Sequence, residues 1–400
     1  MKYVIATLAV ALAVPALTVP AMAADYPEFA ELRAEAKAAA KKEEYSTALK
    51  LYKQLADKGD PAGMYGLGVM YIGGEGVSKN LKKGFRWLQK AADTGYPAAI
   101  RRLGLAHEDG EGAPEDLDKA NALYLKAAEK GDVIAAYYMG LNHWEGIGFD
   151  KDPAKAVSWF ESAASKNNGD ATYFLGLAYD QGSGVSKDDL KAIGYYTRAA
   201  SLYQGDAEFA LGMAHDFASN GIVQDLPTAY YWYKRAAEHG QNDAYNSLAQ
   251  AYRHGSGTAK DMGKALEWYT KGVEVNDNHA ISNLGAMYLE GEGVEKDTAK
   301  GTALLERAIA KDHGWAMAEL GIALLEGKLI DADHKRAVAL LEKALEKEEG
   351  RANIHLARAY AEGRGVPADK KIAKKYFLAA IRAGNETAKD ELKAFVSGTN

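Results

Sequence analysis

A period of 36 residues constrains this chain more than any other feature. The stretch Leu284 to Asp297 reads Leu-Gly-Ala-Met-Tyr-Leu-Glu-Gly-Glu-Gly-Val-Glu-Lys-Asp, and close copies of it recur through most of the sequence. The small residue that follows the apolar one in Leu-Gly falls at Gly68, Gly104, Gly140, Gly176, Gly212, Ala249, Gly285, Gly321 and Ala357. Of the eight intervals, seven are 36 residues and one is 37. A second series, Ala56, Ala92, Ala128, Ala164, Ala200, Ala237, Val273, Ile309, Leu345 and Ile381, keeps step with the first. So does a third: Asn80, Asp116, Asp152, Asp188, Asp225, Asp261, Asp297, Asp333 and Asp369. All three take the longer step together. The extra residue falls in the fifth turn, where Ala218-Ser219-Asn220-Gly221 stands in place of a Gly182-Ser183-Gly184. A chain with such a period stacks like units against one another, so its 400 residues need not divide into separate globular domains.

Each series has a physical task. The Asn/Asp residues stand where a side-chain oxygen can accept from the free N–H groups that open a helix, worth about 1 kcal/mol apiece. Gly-x-Gly lets the preceding helix end in a left-handed residue and reverse the chain. Around the recurring small residue, Leu stands one before, a small residue two after, and Tyr or His three after; these cluster on one side of a helix and predict its core face. A mid-helix Gly costs about 1 kcal/mol against Ala, so its recurrence implies close packing. The reading is helix, turn, helix, repeated. Before the first full copy, Phe29, Leu32 and Ala36, then Tyr45, Leu49, Tyr52 and Leu55, predict a helical hairpin.

The pattern Leu-Gly-x-x-Tyr-x-x-Gly-x-Gly-Val-x-x-Asp followed by Lys-Ala-x-x-Trp-Tyr-x-x-Ala-Ala-x-x-Gly, clearest over Leu175–Ala200 and Leu284–Asp297, resembles the Sel-1-like repeat, a longer-looped relative of the tetratricopeptide repeat. The resemblance covers nine repeats over residues 61–384, after a tetratricopeptide-like capping hairpin at 24–60 and before a C-terminal capping helix and tail at 385–400. Repeats eight and nine depart from it: Gly327-Lys328-Leu329 lacks the second Gly, and Ala357 replaces the helix Gly. The resemblance implies an all-α fold, an α-solenoid wound as a right-handed superhelix whose first helices line a concave surface. It also implies an adaptor for macromolecular complexes. For exported bacterial members, it implies regulators of envelope signalling through a sensor kinase or scaffolds of exopolysaccharide assembly. A cysteine-rich secreted branch is linked to β-lactam binding, but this chain has no cysteine.

Lys2, the apolar run Tyr3–Val14 and the small-residue site Ala21-Met22-Ala23 read as a secretory signal over residues 1–23, since no charge intervenes before Asp25. Pro15 and Pro20 interrupt the run short of a spanning length, so cleavage near Ala23 and no stable membrane insertion are expected. The periplasm, or secretion, is the expected location. Absence of cysteine removes disulfides, thiolate ligands and cysteine nucleophiles. A formal net charge of −6 argues against nucleic acid as partner, because such binding needs clustered cations. Lys370, Lys371, Lys374 and Lys375 read as a polar outer helix face, as do Lys119, Lys155, Lys191 and Lys264.

No catalytic constellation is legible, and no cofactor is expected. The Gly-x-Gly turns lack the strand and Lys-Ser/Thr of a phosphate loop. His107, His143 and His215 occupy the slot that Tyr71, Tyr179, Tyr252, Tyr288 and Tyr360 fill elsewhere, which reads as ring-for-ring packing, and the remaining histidines show no metal-ligand spacing. The chain is therefore expected to be non-enzymatic. Its 24 tyrosines pose a sharper question. Trp87, Trp159, Tyr195, Trp232 and Trp268 read as second-helix core. A further set lies three residues before and four after the helix Gly, on the side away from the predicted core. It comprises Arg101 in repeat two, Tyr137 and Trp144 in repeat three, Tyr173 and Asp180 in repeat four, and Phe209 and Asp216 in repeat five. Rigid rings flanked by charge suit a protein or glycan partner, although the same rings would also serve to pack neighbouring first helices. These seven are the expected partner-binding residues.

Overall fold

The computed structural model describes residues 27–397, so the expected signal segment lies outside the described residues. Every regular element among those residues is helical. The chain packs as two units, Met1–Gln204 and Gly205–Asn400. The first holds α1 (Ala30–Lys41), α2 (Tyr45–Asp57), α3 (Pro61–Gly73), α4 (Leu81–Asp93), α5 (Pro97–Glu108), α6 (Leu117–Glu129), α7 (Val133–Glu145), α8 (Pro153–Ala164), α9 (Gly169–Gln181) and α10 (Asp189–Ser201). The second holds α11 (Gly205–Phe217), α12 (Leu226–Glu238), α13 (Asp243–His254), α14 (Met262–Glu274), α15 (Asn278–Glu290), α16 (Thr298–Ile309), α17 (Gly314–Glu326), α18 (His334–Glu346), α19 (Ala352–Glu362), α20 (Lys370–Arg382) and α21 (Thr387–Ser397). Within each unit, consecutive helices pack as antiparallel pairs and each pair packs on the next.

The three sequence series account for this geometry. Each residue of the Asn80–Asp369 series caps its second helix by accepting a backbone N–H, for example from Lys119 to Asp116 at 2.9 Å and from Lys300 to Asp297 at 2.9 Å. Most first helices end at a left-handed Gly, as at Gly291 with φ +76°, whose N–H donates to Met287 O at 2.9 Å, whereas α5 ends at Asp109. In the inserted turn Ala218 and Asn220 both take positive φ, 51° and 55°, a conformation that costs Ala more than Asn.

A first helix buries two faces rather than one. Five residues before the recurring small residue, Ala99, Ala135, Ala171, Ala207, Ala244, Ala280, Ala316 and Ala352 are fully buried. They belong to the face that meets the preceding helix: a Cβ on Gly272 of α14 would collide with the Ala280 methyl of α15. The recurring small residue itself faces the second helix of its own repeat, under a ring or branched side chain about twenty residues on. A Cβ on Gly140 would stand 2.5 Å from the Phe160 ring, and one on Gly176 would stand 2.6 Å from Tyr196. This is the packing reason for glycine in mid-helix. The structure also corrects the expected second-helix core. Leu88, Phe160, Tyr196, Tyr233 and Tyr269 are buried, whereas their predecessors Trp87, Trp159, Tyr195, Trp232 and Trp268 are only half-buried. One step along a helix is a 100° turn, and it carries the tryptophans to the rim. There Lys90 and Lys271 lie over the Trp87 and Trp268 rings at 4.4 and 3.7 Å.

Candidate functional site

The positions three before and four after the small residue turn toward the seam between the two helices of a repeat. At the later position the side chain meets the tip of the second-helix ring. Glu108 accepts from the Tyr124 hydroxyl, Asp180 from Tyr196 at 3.3 Å, and Asp216 from Tyr233 at 3.1 Å. Arg253 lies beside Tyr269. Where the second helix brings no hydroxyl, the same position is apolar: Ile72 with Leu88, Trp144 with Phe160, Leu289 with Leu305, Leu325 with Leu341, Ala361 with Phe377. A buried hydroxyl needs a partner, and a ring without one needs an apolar neighbour. Burial pushes the Glu108 carboxyl above its ordinary range, the Tyr124 hydroxyl pulls it back, and neighbouring Asp109 adds to the rise.

The remaining candidates lie along these seams or bridge to the next repeat. Arg101 is half-buried and paired with Asp132, Nε to Oδ1 3.1 Å, and Asp132 in turn caps α7 through the Ala135 N–H at 2.8 Å. Tyr137 is half-buried, its ring centroid 6.2 Å from Phe160 and 6.0 Å from Phe174. Trp144 is only 7% exposed, packed on the same two rings at 6.1 and 6.0 Å. Tyr173 lies half-buried between Phe174 at 5.6 Å and Tyr196 at 5.7 Å. In the second unit Phe209 lies against Tyr233 at 5.7 Å, half-buried, beside the Tyr233–Asp216 bond. Arg101 and Asp132 join two repeats, and Tyr137, Trp144, Phe160 and Phe174 form one ring cluster. Asp180 and Asp216 are each committed to their own tyrosine. His107 and His143 pack as expected of tyrosine substitutes. His107 lies edge-on to Phe85 with Nδ1 3.0 Å from Pro114 O, and His143 is stacked on Phe149 at 4.5 Å.

The solvent-facing arc of the first helices lies elsewhere, at two before, one after and five after the small residue. In the first unit it carries Tyr138, Phe174, Leu141 and Leu177, all half-buried, and the exposed Asp109 and Glu145. In the second unit Met213 is 39% and Phe217 67% exposed on the same arc. The sequence expectation placed the open face too close to the seam because it counted one buried face where there are two. The signal that would have found the arc is the fully buried Ala series five before the small residue. Among the described residues, no helix is long and apolar enough to cross a membrane.

Paired helices capped by a common Asp and closed by a common Gly turn, repeated through both units, define an α-solenoid repeat protein. The Sel1 repeat profile matches residues 40–60, 61–96, 97–132, 133–168, 169–203, 205–241, 242–277, 278–313, 316–348 and 350–385, and the chain belongs to the Sel1 repeat family. The first match falls in the hairpin set apart above. The chain is similar to the crystal structure of a protective antigen of uropathogenic Escherichia coli strains with an SLR fold. That likeness has 30% identity and a TM-score of 0.73, covering 89% of this chain and 76% of the antigen. It is also similar to a Sel1 repeat protein from Oxalobacter formigenes, at 32% identity and TM-score 0.57, covering 61% of this chain and 100% of that one. No curated protein matches the chain. Sel1 repeat proteins typically serve as protein-interaction scaffolds.

Proposed function

We propose that this chain is a non-enzymatic scaffold, exported to the periplasm or secreted, that binds a protein partner on the solvent-facing arc of its first helices. One observation carries the reading. Along α7 and α9 the apolar side chains Tyr138, Leu141, Phe174 and Leu177 remain partly open to solvent. Leu141, Phe174 and Leu177 pack on the buried Trp144 and Phe160. A preorganised apolar strip flanked by charge suits a partner helix or extended segment better than a closed reaction site. Tyr137 and Tyr173, half-buried at the edge of the arc, add contact area; in the second unit Phe209 occupies the equivalent position, and Arg101, Asp180 and Asp216 are held by their own partners. The export expected from residues 1–23 directs this role to the envelope. There, signalling through a sensor or assembly of a polysaccharide-secretion complex fits an adaptor.

The test is affinity capture from an envelope fraction with the wild-type chain and with a Leu141→Asp/Leu177→Asp variant whose helicity is verified. A partner retained by the wild type and lost by the variant is expected; identical capture by both sinks the assignment of this arc. The glycan alternative rests on the same rings. Quenching of tryptophan fluorescence by oligosaccharides, abolished by Tyr137→Ala/Tyr173→Ala, would favour it instead. A nitrocefin assay is expected to show no turnover, and measurable turnover would refute the non-enzymatic reading.

A further inference from the structure

One pair of side chains in the second unit belongs neither to the seams nor to the solvent-facing arc. His279 lies in the first turn of α15, and His313 immediately precedes α17, one repeat later. Their rings meet edge to face, centroids 4.7 Å apart and planes at 87°, with His313 Nε2 3.4 Å from His279 Nδ1. His313 has its other nitrogen committed, Nδ1 standing 3.0 Å from Ser282 Oγ. Ser282 is fully buried and donates its own hydrogen to Asn278 O at 2.7 Å. Its oxygen is therefore the acceptor, and His313 carries its proton on Nδ1. That leaves the Nε2 lone pair facing His279. A buried group that accepts from one imidazole nitrogen, fixing the tautomer and freeing the other, is the usual support of a metal-binding histidine.

The separation fits such a role. Two nitrogen ligands about 2.0–2.1 Å from a tetrahedral ion stand about 3.3–3.4 Å apart, the spacing found here, which is long for an ordinary hydrogen bond. Among the described residues, no three His, Cys, Asp or Glu side chains gather as a metal-holding group, so water must complete the coordination. Two imidazoles with water at this tetrahedral spacing favour Zn2+ among the first-row divalent ions, and Cu2+, which N and O ligands bind more tightly in general, serves as the probe.

We propose that His279 and His313 form an inter-repeat two-histidine site for a divalent transition-metal ion, with Ser282 orienting His313. The ligands stand 34 residues apart in the chain, so no motif announces the site. It is independent of the partner-binding reading above. The test is titration of the full, untagged chain with Cu2+ in non-chelating buffer at neutral pH. One equivalent is expected to bind, with two imidazole nitrogens resolved in the electron paramagnetic resonance spectrum. His279→Gln, at an exposed position, should weaken binding about tenfold or more and leave one nitrogen. Ser282→Ala should weaken it by roughly tenfold with both ligands present, the usual effect of removing an orienting partner. His254→Gln, outside the pair, should change neither. Absence of a one-to-one Cu2+ complex would overturn the proposal, as would affinity and spectrum unchanged by His279→Gln.

Discussion

At the scale of single residues, the most informative relation is between the tip of the second-helix ring and the residue four after the helix Gly. Tyr124, Tyr196 and Tyr233 donate to carboxylates, whereas Phe160 meets Trp144. Exchanging partners should therefore cost energy in both directions. Phe160→Tyr sets a hydroxyl against an indole and should lose about 1–3 kcal/mol. Adding Trp144→Asp should recover part of that, a coupling of about 0.5–3 kcal/mol in a double-mutant cycle. Tyr196→Phe should lose about 1 kcal/mol by removing the donor to Asp180. Urea denaturation of the set measures all three, and zero coupling would show that the pairing carries no energy. On this view Asp180 and Asp216 hold their repeats together first, and reach a partner only through the rings they support.

At the scale of elements, glycines inside helices divide into two kinds that local sequence does not distinguish. Gly140 in α7 lies under the Phe160 ring, with a Cβ placed 2.5 Å from it, while Gly194 in α10 has nothing within 4 Å. Gly194→Ala should stabilise by roughly 1 kcal/mol, the helix-propensity difference. Gly140→Ala gains the same propensity but overpacks the seam at a cost of about 1–3 kcal/mol or more, so its net effect should be a loss. Ala249 and Ala357 occupy the equivalent position opposite Tyr269 and Phe377, so the loss should be graded rather than complete. Thermal unfolding of the two variants should shift in opposite directions. Equal shifts would mean that helix propensity, not ring packing, governs these positions.

At the scale of the whole molecule, stability rests on contacts between neighbouring repeats, so pH should act locally. The C-terminal helices show this. Burial, together with Arg358, holds the His355 pKa down to about 4. Arg358 donates to Glu391 across α19 and α21, Nε to Oε2 2.9 Å, and holds that carboxyl below its ordinary range. A histidine depressed from 6.5 to about 4 binds its proton more readily when unfolded, so its stability is lost as pH falls from about 6.5 toward 4. A depressed carboxylate loses its share lower still, as pH falls through its folded value. Glu108 at the end of α5 and Asp109 just after it run the other way, with carboxyls raised above their ordinary range in the first place by burial. Hydrogen exchange from pH 7 to 4, corrected for intrinsic rates, should therefore show α19–α21 opening before α5. The opposite order would refute the assignment.

The 36-residue series by themselves determined the helix count per repeat, the caps, the turns and the place of the inserted residue, because each of those is settled within a few residues of chain. The buried His107 and His143 were legible for the same reason, by their register with tyrosines. What lies between helices was not. Whether Trp159 or Phe160 enters the core, whether Asp180 faces a partner or Tyr196, and whether His279 meets His313 all depend on which of two faces a first helix turns to which neighbour. Periodicity reports that a face is buried, and only tertiary packing reports against what.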